Sequence, residues 1–313
     1  MSFFNPTLYP SLTLTGYTKT HIGLITSPPQ SDAYNTARQK YQFTASQIPN
    51  IFGYGYTSRQ KYYRELTGLE EPTSISPFVQ ELVDEGQRTE PLAADIFGQV
   101  YDNFIVLNTG LWPHPYHPWL AASPDRVLVN HKDPTQIALL EIKTRTMGAP
   151  PYSPTDVQFV KFWLQMQIQL QCTQVSHCFY WGFSNCEGMP AELAIIRRDD
   201  KVWKSVIEPG ILAFKAIVDN RIDEDMPRRM SPQYKKEYFV QYQFDIGRTL
   251  VSLRDYLGST ISSHLLPIKK RKTVNETQST DCKTTTTPTT PPILKKQKTK
   301  DIKCDIITIG VSV

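Results

Sequence analysis

The sequence predicts a mixed α/β fold of the α+β kind, a β-sheet flanked by helices, on three observations. Residues 121–130 and 137–145 are rich in Val, Leu and Ile and are separated by a polar turn, His131-Lys132-Asp133-Pro134-Thr135, so they read as a hairpin. Phe159, Trp163, Met166 and Leu170 recur at helical spacing between Asp156 and Gln171. Residues 177–183 and 191–197 read as two further strands. The order hairpin, helix, strand pair sets helices against a sheet.

The remaining elements follow in chain order. Residues 1–30 hold scattered prolines and read as an irregular lead-in. Residues 31–48 contain a helix, with Ser46 near the start of a second, and 56–66 form another helix before a loop at 68–74. Ser76-Pro77 is a helix start, Ser as N-cap and Pro in the first turn, where its missing N–H costs nothing. Val79, Leu82, Val83 and Gly86 form the expected inward stripe of that helix. Pro91 is expected to interrupt it near Thr89, leaving Glu90 at a break or first turn. Asp156 caps the helix that ends near Gln171, and Gln158, Lys161, Gln165 and Gln169 line its polar face. Residues 202–220 form a helix disturbed by Pro209-Gly210. The folded unit is expected over 31–264.

The hairpin carries the chemistry. Ser123-Pro124-Asp125 stands sixteen residues ahead of Glu141-Ile142-Lys143 when counted between the two acids. Side chains alternate along a strand, so Glu141 and Lys143 share one face while Leu140 and Ile142 share the other. A hairpin brings Asp125 alongside Glu141, and two carboxylates on one face call for a hard divalent cation with oxygen ligands. Acids on a hairpin are more often solvated, and a Glu-x-Lys alone is a weak motif. Here Glu141 lies within the apolar run Ala138-Leu139-Leu140-Glu141-Ile142, where its burial costs desolvation unless something compensates. That is the arrangement a metal-dependent phosphodiesterase needs.

Asp125 with Glu141-Ile142-Lys143 resembles the active-site signature of the lambda exonuclease and YqaJ viral recombinase family, within the PD-(D/E)xK nuclease superfamily. Three further stretches match in order. Phe43-Thr44-Ala45-Ser46 resembles the family's Ile-Thr-Ala-Ser segment, with Arg38, or its neighbours Gln39 and Lys40, as the preceding basic position. Gly86 to Glu90 resembles the helix that supplies a further acid, Glu90, and Leu164-Gln165-Met166-Gln167 the helix with the active-site glutamine, Gln165. Arg126 departs from the family, which commonly has Gly after the Asp. The similarity runs over roughly residues 36–200.

The resemblance implies a restriction-endonuclease-like core and a deoxyribonuclease using Mg²⁺, with Mn²⁺ as a substitute. Its metal ligands would be Asp125, Glu141, the Ile142 carbonyl and Glu90, and its catalytic side chains Asp125, Glu141, Lys143 and Gln165. Arg38 and Ser46 would hold the 5′-terminal phosphate. The expected substrate is double-stranded DNA with free ends, digested 5′ to 3′ so that an annealing protein can take the exposed strand. A homo-oligomer is a further expectation. The alternatives are an endonuclease or RNase on the same fold, as in alkaline nucleases, and a nuclease-fold module that binds DNA without cutting.

Composition is consistent with such an enzyme. In 313 residues, 40% of them apolar, one sizeable core can form, and no apolar run reaches the length of a membrane helix. The first residues lack the basic and apolar blocks of a secretory signal. Five cysteines without a Cys-x-x-Cys pair argue for a reducing compartment, against structural zinc, and against an iron–sulfur cluster on Cys172, Cys178 and Cys186. His114, His117 and Cys172 are read as structural.

From residue 265 onward there are ten Lys and Arg against four Asp and Glu, net +6, which leaves 24 basic and 26 acidic residues, net −2, in the body. A DNA enzyme with such a body must concentrate its phosphate contacts in a channel. Arg38, Lys40, Arg59, Lys61 and Arg64, interleaved with Tyr54, Tyr56, Tyr62 and Tyr63, are candidates for it; the other reading places those tyrosines in the core. The tail reads as disordered, Thr- and Pro-rich, with Lys269-Lys270-Arg271-Lys272 as a nuclear-localisation-like cluster. A solubilising tail is the alternative to that nuclear address.

Overall fold

The computed structural model describes residues 31–72, 74–145, 149–186, 189, 191–222, 244–257 and 307–309. The readings made for 1–30, for Lys269-Lys270-Arg271-Lys272 and for most of the tail therefore lie outside the described residues. A seven-stranded mixed sheet organises the molecule. Its strands are β2 (Phe104–Asn108), β5 (Arg126–Asn130), β6 (Ile137–Arg145), β7 (His177–Ser184), β8 (Ala191–Arg197), β9 (Leu250–Val251) and β10 (Ile307–Ile309). They run in the order β10-β8-β7-β6-β5-β2, with β9 also paired to β8. A smaller sheet of β1 (Phe43–Thr44), β4 (Leu120–Ala122) and β3 (Trp112–Pro113) lies in the order β1-β4-β3.

Only β6 and β7 pair in parallel within the backbone order of the large sheet, with Glu141 opposite Tyr180. A parallel pair needs a crossover, and helix α5 (Phe159–Thr173) supplies it. The crossover covers one face of β6, so Leu139 and Ile137 pack with Phe159, Trp163 and Met166. On the opposite face Ala138, Leu140 and Ile142 meet Ala93, Ala94 and Phe97 of helix α4 (Pro77–Val100). With both faces covered, β6 is apolar from Ile137 to Ile142 except at Glu141. The expected mixed sheet between helices is thus the observed architecture.

Several local expectations are corrected. The strand expected over 121–130 is split into β4 and β5 at Ser123-Pro124-Asp125, because Pro124 has no N–H to continue a ladder. Helix α4 runs unbroken through Pro91 for 24 residues. Its ring removes one donor, from the carbonyl of Gln87, at the point where Gln87 and Glu90 border an open pocket rather than packed core. The stripe expected to face inward is exposed at Val79 and Val83, since the first turns of α4 project past the sheet and the core is met by Ala93, Ala94, Ile96 and Phe97. Gln158, not Asp156, occupies the cap position of α5. The Asp156 carboxylate instead accepts from the Ser153 N–H at 2.8 Å, closing the turn before it. Of the polar face expected on α5, Gln158 is exposed and Gln165 half-buried, while Lys161 and Gln169 are buried.

Before the sheet lie α1 (Asp32–Arg38), α2 (Ile48–Ile51) and α3 (Arg59–Thr67). Ser58 and Ser76 cap α3 and α4 by accepting from Lys61 N–H and Val79 N–H, both at 3.3 Å. After β8 come α6 (Asp200–Val202), a π-helical turn at Trp203–Ile207, α7 (Glu208–Asp219) and α8 (Leu253–Leu257). The disturbance expected at Pro209 falls one turn earlier, and Pro209 takes the first turn of α7.

Candidate active site

The break between β4 and β5 aims Asp125 across the sheet at β6. Its Oδ2 accepts the Ile142 backbone N–H at 2.6 Å, which fixes the carboxylate beside Glu141. Glu141 is completely buried, with Oε1 accepting from Lys143 Nζ and from Gln165 Nε2 and Oε2 accepting from Gln169 Nε2 at 2.6 Å. The hairpin and the crossover helix thereby bring together the four side chains read as catalytic: Asp125, Glu141, Lys143 and Gln165.

Gln169 is the residue the sequence reading missed. It sits one turn beyond Gln165 on α5 and also reaches the Ser123 carbonyl at 3.5 Å, tying the strand break to Glu141. The signal was its i, i+4 spacing from Gln165 on the same face.

Charge in this cluster is unbalanced. Burial raises the pKa of Asp125 well above the ordinary carboxylate range, and the neighbouring Glu141 and Glu90 raise it further against Lys143 and the Ile142 N–H. Burial alone would lower Lys143, but Glu141 and Asp125 outweigh it and hold the ammonium firmly protonated. Glu90 is not loose in the cluster: Arg126 Nη1 donates to its Oε1 at 2.7 Å and to the Asp125 carbonyl at 2.6 Å. Arg126 thus offsets part of the acid surplus.

A pocket of about 250 Å³ opens above these residues, lined among others by Arg38, Thr44, Ser46, Glu90, Asp125 and Gln165. Of the three basic-position candidates only Arg38 lines it; its Nη2 donates to Thr44 Oγ1 at 3.3 Å, and Ser46 Oγ lies 3.5 Å from the same hydroxyl. Cation, hydroxyls and acids therefore share one cavity.

Among the described residues no three His, Cys, Asp or Glu side chains form a closed metal-ligand set. What Asp125 and Glu141 offer is a pair of carboxylates with surplus negative charge beside an open pocket. That suits Mg²⁺, which takes one or two carboxylates and completes its shell with water and substrate phosphate. The residues fit the ion. The histidines set aside as structural lie together, with ring centroids of His114 and His117 4.6 Å apart and Glu208 Oε1 2.6 Å from His117 Nε2.

Two acids and a lysine brought together beside a cleft on this sheet form the constellation expected of a nuclease. This chain matches the model of the YqaJ-like viral recombinase domain over residues 33–176. Among solved structures it is similar to an alkaline exonuclease, LHK-Exo, from Laribacter hongkongensis, at 26% identity and TM-score 0.47 over 64% of this chain and 97% of that one. The same enzyme in complex with dAMP matches at 26% identity and TM-score 0.46, over the same shares. A phage-related exonuclease from Haemophilus somnus 129PT matches at 15% identity and TM-score 0.43, covering 60% of this chain and 99% of that one. No curated protein matches. Among the described residues no helix is long and apolar enough to cross a membrane.

Proposed function

We propose that this chain is a Mg²⁺-dependent exodeoxyribonuclease that digests double-stranded DNA from its 5′ ends, exposing 3′ strands for an annealing protein. The observation that carries the reading is the convergence of Asp125, Glu141 and Lys143, with Asp125 and Gln165 lining a pocket that Arg38 and Ser46 also line. Asp125 and Glu141, with the Ile142 carbonyl and Glu90 as further oxygen donors, would hold the ion, for which Mn²⁺ can substitute. When bound, Mg²⁺ supplies an acidified water and offsets charge on the scissile phosphate.

The chain's own groups do the positioning. Lys143, protonated and tethered by Glu141, presents a fixed positive charge to the phosphoryl oxygens as negative charge grows on them. Gln165 spans Glu141 and the pocket, so its amide orients the attacking water or a phosphate oxygen. Arg38 and Ser46, at the pocket wall, grip the terminal phosphate and set which bond lies over the acids.

The test is digestion of linear against covalently closed duplex in Mg²⁺, followed by end-labelled linear duplex. Loss of label from 5′ ends with closed circles intact supports the reading. Cutting of circles assigns an endonuclease, and binding without cutting a DNA-binding module. We further assign the basic cluster Lys269-Lys270-Arg271-Lys272 as a nuclear address in a eukaryotic cell, checked by loss of nuclear accumulation when the four are replaced by alanine. Self-association, suggested by the exposed Phe78, Val79 and Val83 of α4, is read by sedimentation.

A further inference from the structure

The four tyrosines near the N-terminal basic residues part company in the fold. Tyr62 and Tyr63 are core, and Tyr54 packs against Phe244. Tyr56 is 86% exposed. An exposed tyrosine alone means little, but this one is presented by a constructed turn. After α2 the chain reverses at Gly53, whose φ of +78° suits glycine, and Pro49 O accepts from both Tyr54 N–H and Gly55 N–H at 2.9 and 3.0 Å. Asn50 Oδ1 accepts the Thr57 N–H at 3.2 Å. A Cβ at Gly55 would lie 2.7 Å from the Asn50 backbone nitrogen, so the turn is closed to any side chain there.

Beneath the Tyr56 ring, 4.1 Å from its centroid, lies the ammonium of Lys161. Tyr152 and Phe162 complete a cage around it, at 5.2 and 4.8 Å. Lys161 is 8% exposed and has no carboxylate partner among the described residues. Aromatic faces attract such a cation but do not neutralise it. A buried lysine without a counter-charge favours an arriving anion.

The position of the cage says which anion. Lys161 precedes Gln165 by four residues on α5, about 6 Å along the helix on the same face. Lys143 and Lys161 flank the same Phe162 ring, at 5.6 and 4.8 Å. Neither Lys161 nor Tyr56 lines the pocket that holds Arg38. The acidic centre is therefore bordered by two cationic stations, Arg38 at the pocket and Lys161 beside Gln165.

We infer that Lys161 and Tyr56 form a nucleotide subsite: the ammonium receives the phosphate next to the scissile one, on the side away from Arg38, and the Tyr56 ring stacks on an unpaired base of that strand. This rests on the nuclease reading and adds to it a requirement for a locally unstacked end.

The experiment uses the full chain with Ca²⁺ in place of Mg²⁺, bound to linear duplexes carrying 5-iodouracil at successive positions from the 5′ end. Irradiation should cross-link one position to the peptide containing Tyr56, and Tyr56→Ala should lose that cross-link and weaken binding about tenfold, while Tyr56→Trp retains both. Lys161→Met, which keeps the apolar stem, should reduce the dependence of log affinity on log salt by about one contact's worth. Tyr56 is exposed, so its replacement leaves the fold intact, and circular dichroism confirms it. A wild-type chain that digests linear duplex while Tyr56→Ala binds within twofold of it overturns this inference alone. A wild-type chain that neither binds nor cuts overturns the nuclease reading with it.

Discussion

The acidic centre and the histidine cluster are both polar groups set against the same hydrophobic core, and they handle charge in opposite ways. Around Asp125, Glu141 and Glu90 three acids meet two cations, Lys143 and Arg126, beside an open pocket that Asp125 and Glu90 line. Around His114 the charge is removed: its ring stacks on Trp203 with centroids 5.3 Å apart, and its Nδ1 accepts the Tyr116 and His117 N–H groups, both at 3.2 Å. Burial, helped by His117, pushes the His114 pKa down to about 3, so the ring is neutral. Like charge held together beside a cavity signals a missing ligand, whereas a neutral stacked ring signals packing. Residue types alone, acids here and histidines there, would have suggested metal at either.

Removing the function of the acidic centre is the strongest way to break this contrast. Glu141→Gln keeps shape and loses the charge that holds Lys143 and the ion, and digestion of linear duplex should fall by roughly three orders of magnitude. Lys143→Ala should likewise abolish turnover while DNA affinity measured in Ca²⁺ stays within about twofold, since one point charge among many phosphate contacts contributes little to binding. A large fall in affinity instead would make Lys143 a binding residue. Chelation of divalent ions by EDTA should stop digestion by the wild type, with Mg²⁺ or Mn²⁺ restoring it.

The histidine cluster should be sensitive to acid. His114 takes up protons less readily folded than unfolded, so its contribution to stability is complete above about pH 6.5 and is lost as pH falls from there toward about 3. At pH 5 the loss amounts to about 2 kcal/mol, an order-of-magnitude value. His114→Asn can still accept a backbone N–H but cannot titrate in this window. Its melting temperature should therefore fall less between pH 7 and pH 5 than that of the wild type. Equal falls would assign the acid sensitivity to His177, whose pKa burial and Arg197 also lower.

How much of this was legible in the sequence depends on whether a local pattern or a distant contact decides each feature. The hairpin, the strand alternation of Glu141 against Leu140 and Ile142, and the crossover helix were readable because each is a short periodic run. The approach of Asp125 to Glu141 followed from the hairpin. Arg126 was visible as a departure, but its ion pair with Glu90, 36 positions away, depends on how α4 crosses the sheet. Pro91 misled because propensity describes an isolated helix, while α4 is held by Ala93, Ala94 and Phe97 against β6. Gln165 and Gln169 on α5 read as part of a polar face until their shared partner, Glu141, is known. The tyrosines could not be sorted at all, since one-residue differences in a turn decide which ring is buried.

The smallest expected effect is the most direct test of the contrast, because it converts one cluster toward the other. Asp125→Asn removes a charge without removing the oxygen that accepts the Ile142 N–H, so the backbone register at the strand break survives. Folded Asp125 holds its proton more tightly than the unfolded chain does, so its ionisation costs stability as pH rises through and above the ordinary carboxylate range. The variant, inactive in digestion, should therefore melt higher than the wild type at neutral pH without Mg²⁺, by roughly 2–4 °C for about 1 kcal/mol of relieved repulsion. Near pH 4 the difference should shrink, since the wild-type carboxyl is then largely protonated. Added Mg²⁺ should raise the wild type and leave the variant almost unmoved, because only the former has repulsion for a cation to relieve. A variant that melts lower under all three conditions would mean that the acids are balanced within the protein itself, and the surplus charge that distinguishes this centre from the histidine cluster would be lost as an argument for metal.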